Sequence, residues 1–276
     1  MGGIARIPAI LAISALMMAP NASAFDSAAQ SSPGNPEYLT VEQAADFSKQ
    51  IERTLADKGA RVAMVFRSGR SRDRLPDNVK YTHGAFWVYQ DIQREDGSLM
   101  KGYVVYNLYH GDGETLPKTQ SYLEQDFPFD FTGASSVDDV AVIIPDPQIQ
   151  RRMLNIMASD DYEGLHVKEY SLISNAADAE YQNCNEFMLD IVAAAAWQTS
   201  DYPQIKANLA AHFDGTEIET NLLERIFAPV ADERIRTGDH TGKIKTVTYE
   251  SLAGFLAKHG LLQETYVINR QDKLTF

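Results

Sequence analysis

The 276-residue sequence predicts an α+β fold, and three stretches carry that prediction. Val62 to Phe66 is a short, unbroken apolar run, the pattern of a strand covered on both faces. Ala85-Phe86-Trp87-Val88-Tyr89 and the segment from Gly102 to Tyr109 are rich in aromatic and branched residues. With the Asp96-Gly97 turn signal between them they read as a hairpin with a long loop. Tyr181-Gln182-Asn183-Cys184-Asn185-Glu186-Phe187 then opens a helix, because apolar residues recur at Phe187, Met188, Ile191, Val192, Ala195 and Ala196.

Taken in order, the chain starts with a targeting segment. Arg6 supplies a positive start, Ile7 to Ala19 an apolar stretch, and Ala22-Ser23-Ala24 a cleavage site. Residues 1–24 are therefore expected to be a signal peptide, with a mature chain from Phe25 that is periplasmic or secreted. Residues 25–38 are Ser/Ala/Pro/Gly/Asn-rich and read as a flexible lead-in. Residues 39–276 are expected to form a single domain, mostly helical from about residue 203. Thr40 and Gln43 form a capping-box pair that opens a helix through Val41, Ala44, Phe47, Ile51 and Leu55, stopped by Gly59. Beyond the hairpin, Val140 to Ile144 reads as a strand and Pro145 to Ala158 as a helix. Leu165 to Ile173 mostly alternates. Ile205 to Phe213, Leu222 to Phe227 and Tyr249 to Lys258 read as helices, and Tyr266 to Asn269 as a last strand.

Composition narrows the function classes. A formal charge of −13 and a pI near 4.9 argue against a nucleic-acid partner, which calls for a basic footprint. After residue 24 no apolar run is long enough to span a bilayer, so no transmembrane segment is expected in the mature chain. His166, His212, His240 and His259 are scattered without metal-ligand spacing, so neither a metal nor a cofactor is expected. One cysteine cannot form an internal disulfide, and an unpaired thiol in an oxidising compartment points to reactivity, although a buried thiol also survives there.

Four features carry candidate chemistry. Asn183 is placed to cap the helix, and Glu186 to reach back to the cap's N–H. Cys184 then falls at the first helical position, where free N–H groups and the dipole lower a thiol pKa. The competing reading is a small core residue. Arg67-Ser-Gly-Arg70-Ser-Arg72-Asp-Arg74 is a basic island. Its guanidinium groups, Arg67 and Arg70 first, are suited to a substrate carboxylate or phosphate, or else to a solvated loop paired with Asp73. His83 stands at the mouth of the first hairpin strand beside Gly84, and Asn107 and His110 lie on or just past the second.

Tyr81-Thr82-His83-Gly84 at a strand start, followed by Asn183-Cys184-Asn185-Glu186-Phe187 at a helix start, resembles the circularly permuted papain-like thiol proteins. These include the lecithin:retinol acyltransferase group, the PPPDE desumoylating peptidases and relatives of NlpC-type cell-wall peptidases. The wider chain, from Arg67-Ser-Gly-Arg70 through Tyr81-Thr82-His83, resembles the secreted bacterial domain-of-unknown-function family 2145. The resemblance implies a permuted papain-like fold, an antiparallel sheet packed against the cysteine helix, with Cys184 and His83 as catalytic residues within hydrogen-bond reach. Acyltransferases of the group carry a second histidine one strand later. Here that place falls to Asn107 or His110, with Asn107 preferred, and the desumoylating relatives work with a dyad alone.

On this reading His83 takes the Cys184 proton, or holds it as an imidazolium–thiolate pair, and the thiolate attacks a carbonyl. The backbone N–H of Cys184, helped by Gln182 or Asn183, meets the oxyanion. Hydrolysis of a peptide or isopeptide bond is expected first, with cell-wall peptides within reach of an exported protein. A lipid acyltransferase or thioesterase using the same pair is the alternative, and a non-catalytic binding module on the same fold is the third reading.

Overall fold

The structure is a computed structural model that describes residues 38–75, 77–219 and 232–272. The expected signal peptide, the lead-in up to residue 37 and the expected helix Leu222–Phe227 lie outside the described residues.

Helix α1 (Val41–Asp57) begins at the Thr40 capping box, with Gln43 N–H on the threonine hydroxyl and the Gln43 side chain on the Thr40 N–H. Its apolar positions Phe47, Ile51 and Leu55 are buried. Strand β1 (Val62–Arg67) is buried along its whole length, as its unbroken apolar run requires. The hairpin strands β2 (His83–Gln93) and β3 (Leu99–His110) pair down to Gln93–Leu99, so the connection is the short segment 94–98 rather than a long loop. Gly97, at φ 81°, makes that turn possible.

Then come β4 (Ser121–Asp126), the short helix α2 (Pro128–Gly133), β5 (Asp139–Pro145) and α3 (Pro147–Met157), which Asp146 caps. Helices α4 (Asp161–Gly164), α5 (Cys184–Trp197) and α6 (Tyr202–His212) follow. A two-stranded ribbon of β6 (Thr216–Glu217) and β7 (Lys245–Thr246) precedes α7 (Tyr249–Lys258) and β8 (Leu262–Asn269).

The main sheet runs β4-β3-β2-β1-β5-β8 with every neighbouring pair antiparallel. The fold is thus α+β: a six-stranded antiparallel sheet with seven helices among the described residues. Strand alternation splits the core in two. Val62, Met64, Phe66, Phe86 and Val88 join α5 on one face, while Ala63, Val65, Ala85, Trp87 and Phe131 join α1 and α2 on the other. Helix α5 is buried from Cys184 to Ala195, so it is a central helix rather than an amphipathic surface one.

Two expectations change. Leu165 to Ile173 forms no strand; its β-type pairing stops at two isolated bridges, Gln120–Glu169 and Tyr170–Gln182. The last strand starts at Leu262 rather than at Tyr266 and extends the sheet beside β5.

Candidate active site

The candidate residues converge where β1 ends and β2 begins. Arg67 and His83 pair across β1 and β2, while the β2–β3 pairing starts only at Phe86–Tyr106 and leaves Gly84 outside it. The start of α5 presses on that bare backbone. A Cβ at Gly84 would lie 2.3 Å from Met188 Cε and 2.8 Å from both Asn185 Oδ1 and Phe66 Cδ1, so the close approach requires glycine. The backbone N–H groups of Gly84, Asn185 and Cys184 itself favour the thiolate form of the sulfur here. The Cys184 thiol faces Asn185 Oδ1 at 3.8 Å. Asn183 is the helix cap, accepting from the N–H groups of Asn185 and Glu186.

A second chain of bonds fixes His83. The Asn107 amide nitrogen donates to Asp126 Oδ2 at 2.7 Å, and the Tyr109 hydroxyl donates to the same oxygen at 2.6 Å. Asn107 Oδ1 is thereby turned to His83 Nε2, at 2.9 Å. An amide oxygen only accepts, so Nε2 carries the proton and Nδ1 the lone pair. The imidazole stacks on Tyr109 at 5.4 Å between ring centres and leans on Phe131 at 5.8 Å.

The expected direct bond between His83 and Cys184 is not made: the imidazole's hydrogen bond goes to Asn107 and the thiol's to Asn185. The reason is strand alternation. His83 shares its face with Ala85 and Trp87, toward α2, whereas Cys184 belongs to the core on the α5 face and meets the strand at the Gly84 backbone.

The expected low thiol pKa is also overturned. Burial pushes the Cys184 thiol up, and the three N–H groups and the Arg67 charge only partly pull it back. Burial, then the Arg67 charge, push His83 down to about 3 against the Asn107 bond. At neutral pH the resting pair is a thiol and a neutral imidazole rather than an ion pair.

Other candidates are placed differently from their expected roles. Arg67 is fully buried at the end of β1 instead of in a solvated loop; its Nη1 donates to the Ala134 carbonyl at 2.6 Å and its guanidinium covers the Phe131 ring. Arg70 is half-buried, between the charges of Arg234 and Asp232. His110 donates from Nδ1 to the Gly111 carbonyl and accepts at Nε2 from Arg234, so Asn107 is the group bonded to His83. Gln182 is fully buried and spends its side chain on Val167 N–H, the Leu165 carbonyl and Asp190, so it offers nothing to an oxyanion. Glu186 does not complete a capping box. Its carboxylate takes Lys206 Nζ at 2.7 Å, and Asp190 takes the same ammonium at 2.9 Å.

Asp126, Tyr109, Asn185 and Lys206 escaped the sequence reading. Asn185 sits inside the Asn-Cys-Asn-Glu-Phe stretch and was within reach of it. Asp126 lies on a half-exposed strand with no apolar signal.

Among the described residues, no group of three or more His, Cys, Asp or Glu side chains is placed to hold a metal ion. No described helix is long and apolar enough to cross a membrane. No curated protein and no solved structure matches the chain. The model of one family, described as an uncharacterized protein conserved in bacteria (DUF2145), matches residues 54–256. That span is well over half of the chain and contains Arg67, His83, Asn107, Asp126 and Cys184, so the chain belongs to the DUF2145 family.

Proposed function

We propose that the chain is an exported thiol hydrolase, on a permuted papain-like fold, that cleaves a peptide or isopeptide bond through an acyl-thioester on Cys184. The observation that carries this reading is the Asp126–Asn107–His83 chain, which fixes the imidazole with Nε2 protonated and Nδ1 basic, one residue from the Gly84 N–H at the cysteine sulfur. A nucleophile, a base and a group orienting the base are the parts that thiol acyl transfer needs.

His83 Nδ1 takes the thiol proton as the sulfur attacks the amide carbon. The carbonyl oxygen gains the negative charge, met by the Cys184 N–H at the helix start. Collapse expels the amine, which leaves with the proton from Nδ1. Water then attacks the thioester, gives a proton to Nδ1 and releases the acid, and the proton returns to sulfur. Thiol and imidazole rest neutral, unbonded and on opposite sides of β2, so proton transfer requires a substrate complex that carries the sulfur past Gly84 to the Nδ1 side of the imidazole. The export signal read at residues 1–24 supports cell-wall peptides as the substrate class.

The buried sulfur and the missing His83–Cys184 bond favour one second reading, a binding module that has kept the fold without turnover. Labelling the folded chain with peptidyl and fatty-acyl thiol-reactive probes separates the readings. Peptidyl probes are expected to modify Cys184 and to lose that labelling in His83→Gln. Labelling by fatty-acyl probes alone would make the chain a lipid acyltransferase or thioesterase. Labelling only after unfolding would leave the binding module.

A further inference from the structure

Among the described residues Asp126 is the one carboxylate joined to His83 through a continuous line of hydrogen bonds, and nothing in the sequence singled it out. Its Oδ2 collects two donors, the Asn107 amide at 2.7 Å and the Tyr109 hydroxyl at 2.6 Å. Asn107 is fully buried, so its amide oxygen and nitrogen must each find a partner inside the protein. A side-chain amide can be turned over at no cost in shape, exchanging its donor and acceptor ends. Which end meets His83 is therefore decided by what stands at the other end. An ionised carboxylate only accepts, so it holds the NH2 end and leaves the oxygen to face the imidazole. That oxygen in turn puts the ring proton on Nε2.

We infer that Asp126 is a positioning residue that sets the His83 tautomer through the orientation of the Asn107 amide. This rests on the proposed thiol chemistry for its use but not for its test. With Asp126 replaced by a group that does not accept, the Asn107 amide is free to turn. Its NH2 then donates to Nε2, the ring proton moves to Nδ1, and the nitrogen meant to take the thiol proton is already protonated. Loss of the correct tautomer disables a histidine base even when the side chains stay in place. Tyr109 supports the same arrangement twice, as the second donor to Asp126 and as the ring stacked on His83.

The test reads the ring nitrogens directly. Long-range 1H–15N correlation spectra of the full 15N-labelled chain at pH 7.5, with His83→Gln to identify the His83 signals, report which nitrogen carries the proton. The unmodified chain is expected to show a pyrrole-like Nε2 and a pyridine-like Nδ1; the reverse overturns the inference without any variant. In Asp126→Leu the two nitrogens are expected to exchange character. In the isosteric Asp126→Asn, whose amide both donates and accepts, they are expected to average between the two forms. Should Asp126→Leu fail to fold, Asp126→Asn decides alone. An unchanged Nε2–H tautomer in the folded variant overturns the inference. Because the reading needs no turnover, a chain with the expected tautomers but no probe labelling would sink the hydrolase reading and leave the role of Asp126 standing.

Discussion

Gly84→Ala tests whether the cysteine helix rests on a bare strand backbone. The added Cβ would stand 2.3 Å from Met188 Cε and 2.8 Å from Asn185 Oδ1 and Phe66 Cδ1, all below any normal contact. Met188 can swing its end methyl aside. Asn185 cannot yield cheaply, because its amide nitrogen donates to the Val247 carbonyl at 3.1 Å and its oxygen faces the thiol. Phe66 is fully buried in the same layer, against Tyr249. Overpacking of this kind costs about 1–3 kcal/mol. For a protein of this size each kcal/mol lowers the melting temperature by about 2–4 °C, so a fall of roughly 2–12 °C is expected. Thermal unfolding followed by circular dichroism measures it. The thiol should at the same time label faster with iodoacetamide, since the helix start is levered off the strand. A melting temperature within about a degree of the parent and unchanged labelling would refute the close packing of α5 on Gly84.

Lys206→Met removes the ammonium shared by Glu186 and Asp190, whose carboxylates are fully buried. Stranding them is expected to cost about 3–5 kcal/mol in urea unfolding, and a loss under 1 kcal/mol would show that water enters the site. Asp126 gives a pH signature. Burial, reinforced by the charges of Asp130 and Glu124 and opposed by the Tyr109 and Asn107 bonds, raises its carboxyl from 3.8 to about 6. Arg67 also faces it from β1. The folded state then holds this proton more tightly than the unfolded state, so the stabilisation is complete below pH 3.8 and is lost as pH rises through 6. That loss is on the order of 3 kcal/mol. Asp126→Asn should flatten this part of the stability profile, and an unchanged slope would assign it to another group. In the parent chain, iodoacetamide should modify Cys184 at pH 7 more slowly than a free cysteine, because burial raises the thiol; faster labelling would restore the ion-pair reading.

Elements with a strong period were legible in the sequence. Val62 to Phe66 announces a strand buried on both faces, and the Thr40 and Asn183 caps mark two helix starts within a residue. Edge strands were not legible in the same way. β4 reads Ser-Tyr-Leu-Glu-Gln-Asp and buries only its first residue fully, and β8 fully buries only Ile268 before its last position, so neither shows an apolar run. Within the site, residue types were legible and partners were not. Arg67 looked like the first residue of a basic loop because charge dominates that stretch, yet its strand register opposite His83 takes it into the core. Asp126 meets Asn107 only because β4 returns alongside β3. Glu186 sits where a capping box would use it, and a lysine twenty residues on, which no local pattern announces, claims it instead. The neutral resting pair was hidden for a related reason: the helix start predicts a lowered thiol, while the burial that outweighs it belongs to the packed fold.

Cys184 is expected to carry an acyl group during turnover, which intact-mass spectrometry of the chain quenched in acid after mixing with cell-wall peptides can detect. A transient added mass equal to an acyl fragment is expected, located on Cys184, released by hydroxylamine and absent from Cys184→Ser. In His83→Gln the adduct is expected not to form. Peptide cleavage that proceeds without any adduct, or an adduct that forms equally well without His83, would contradict the acyl-thioester mechanism.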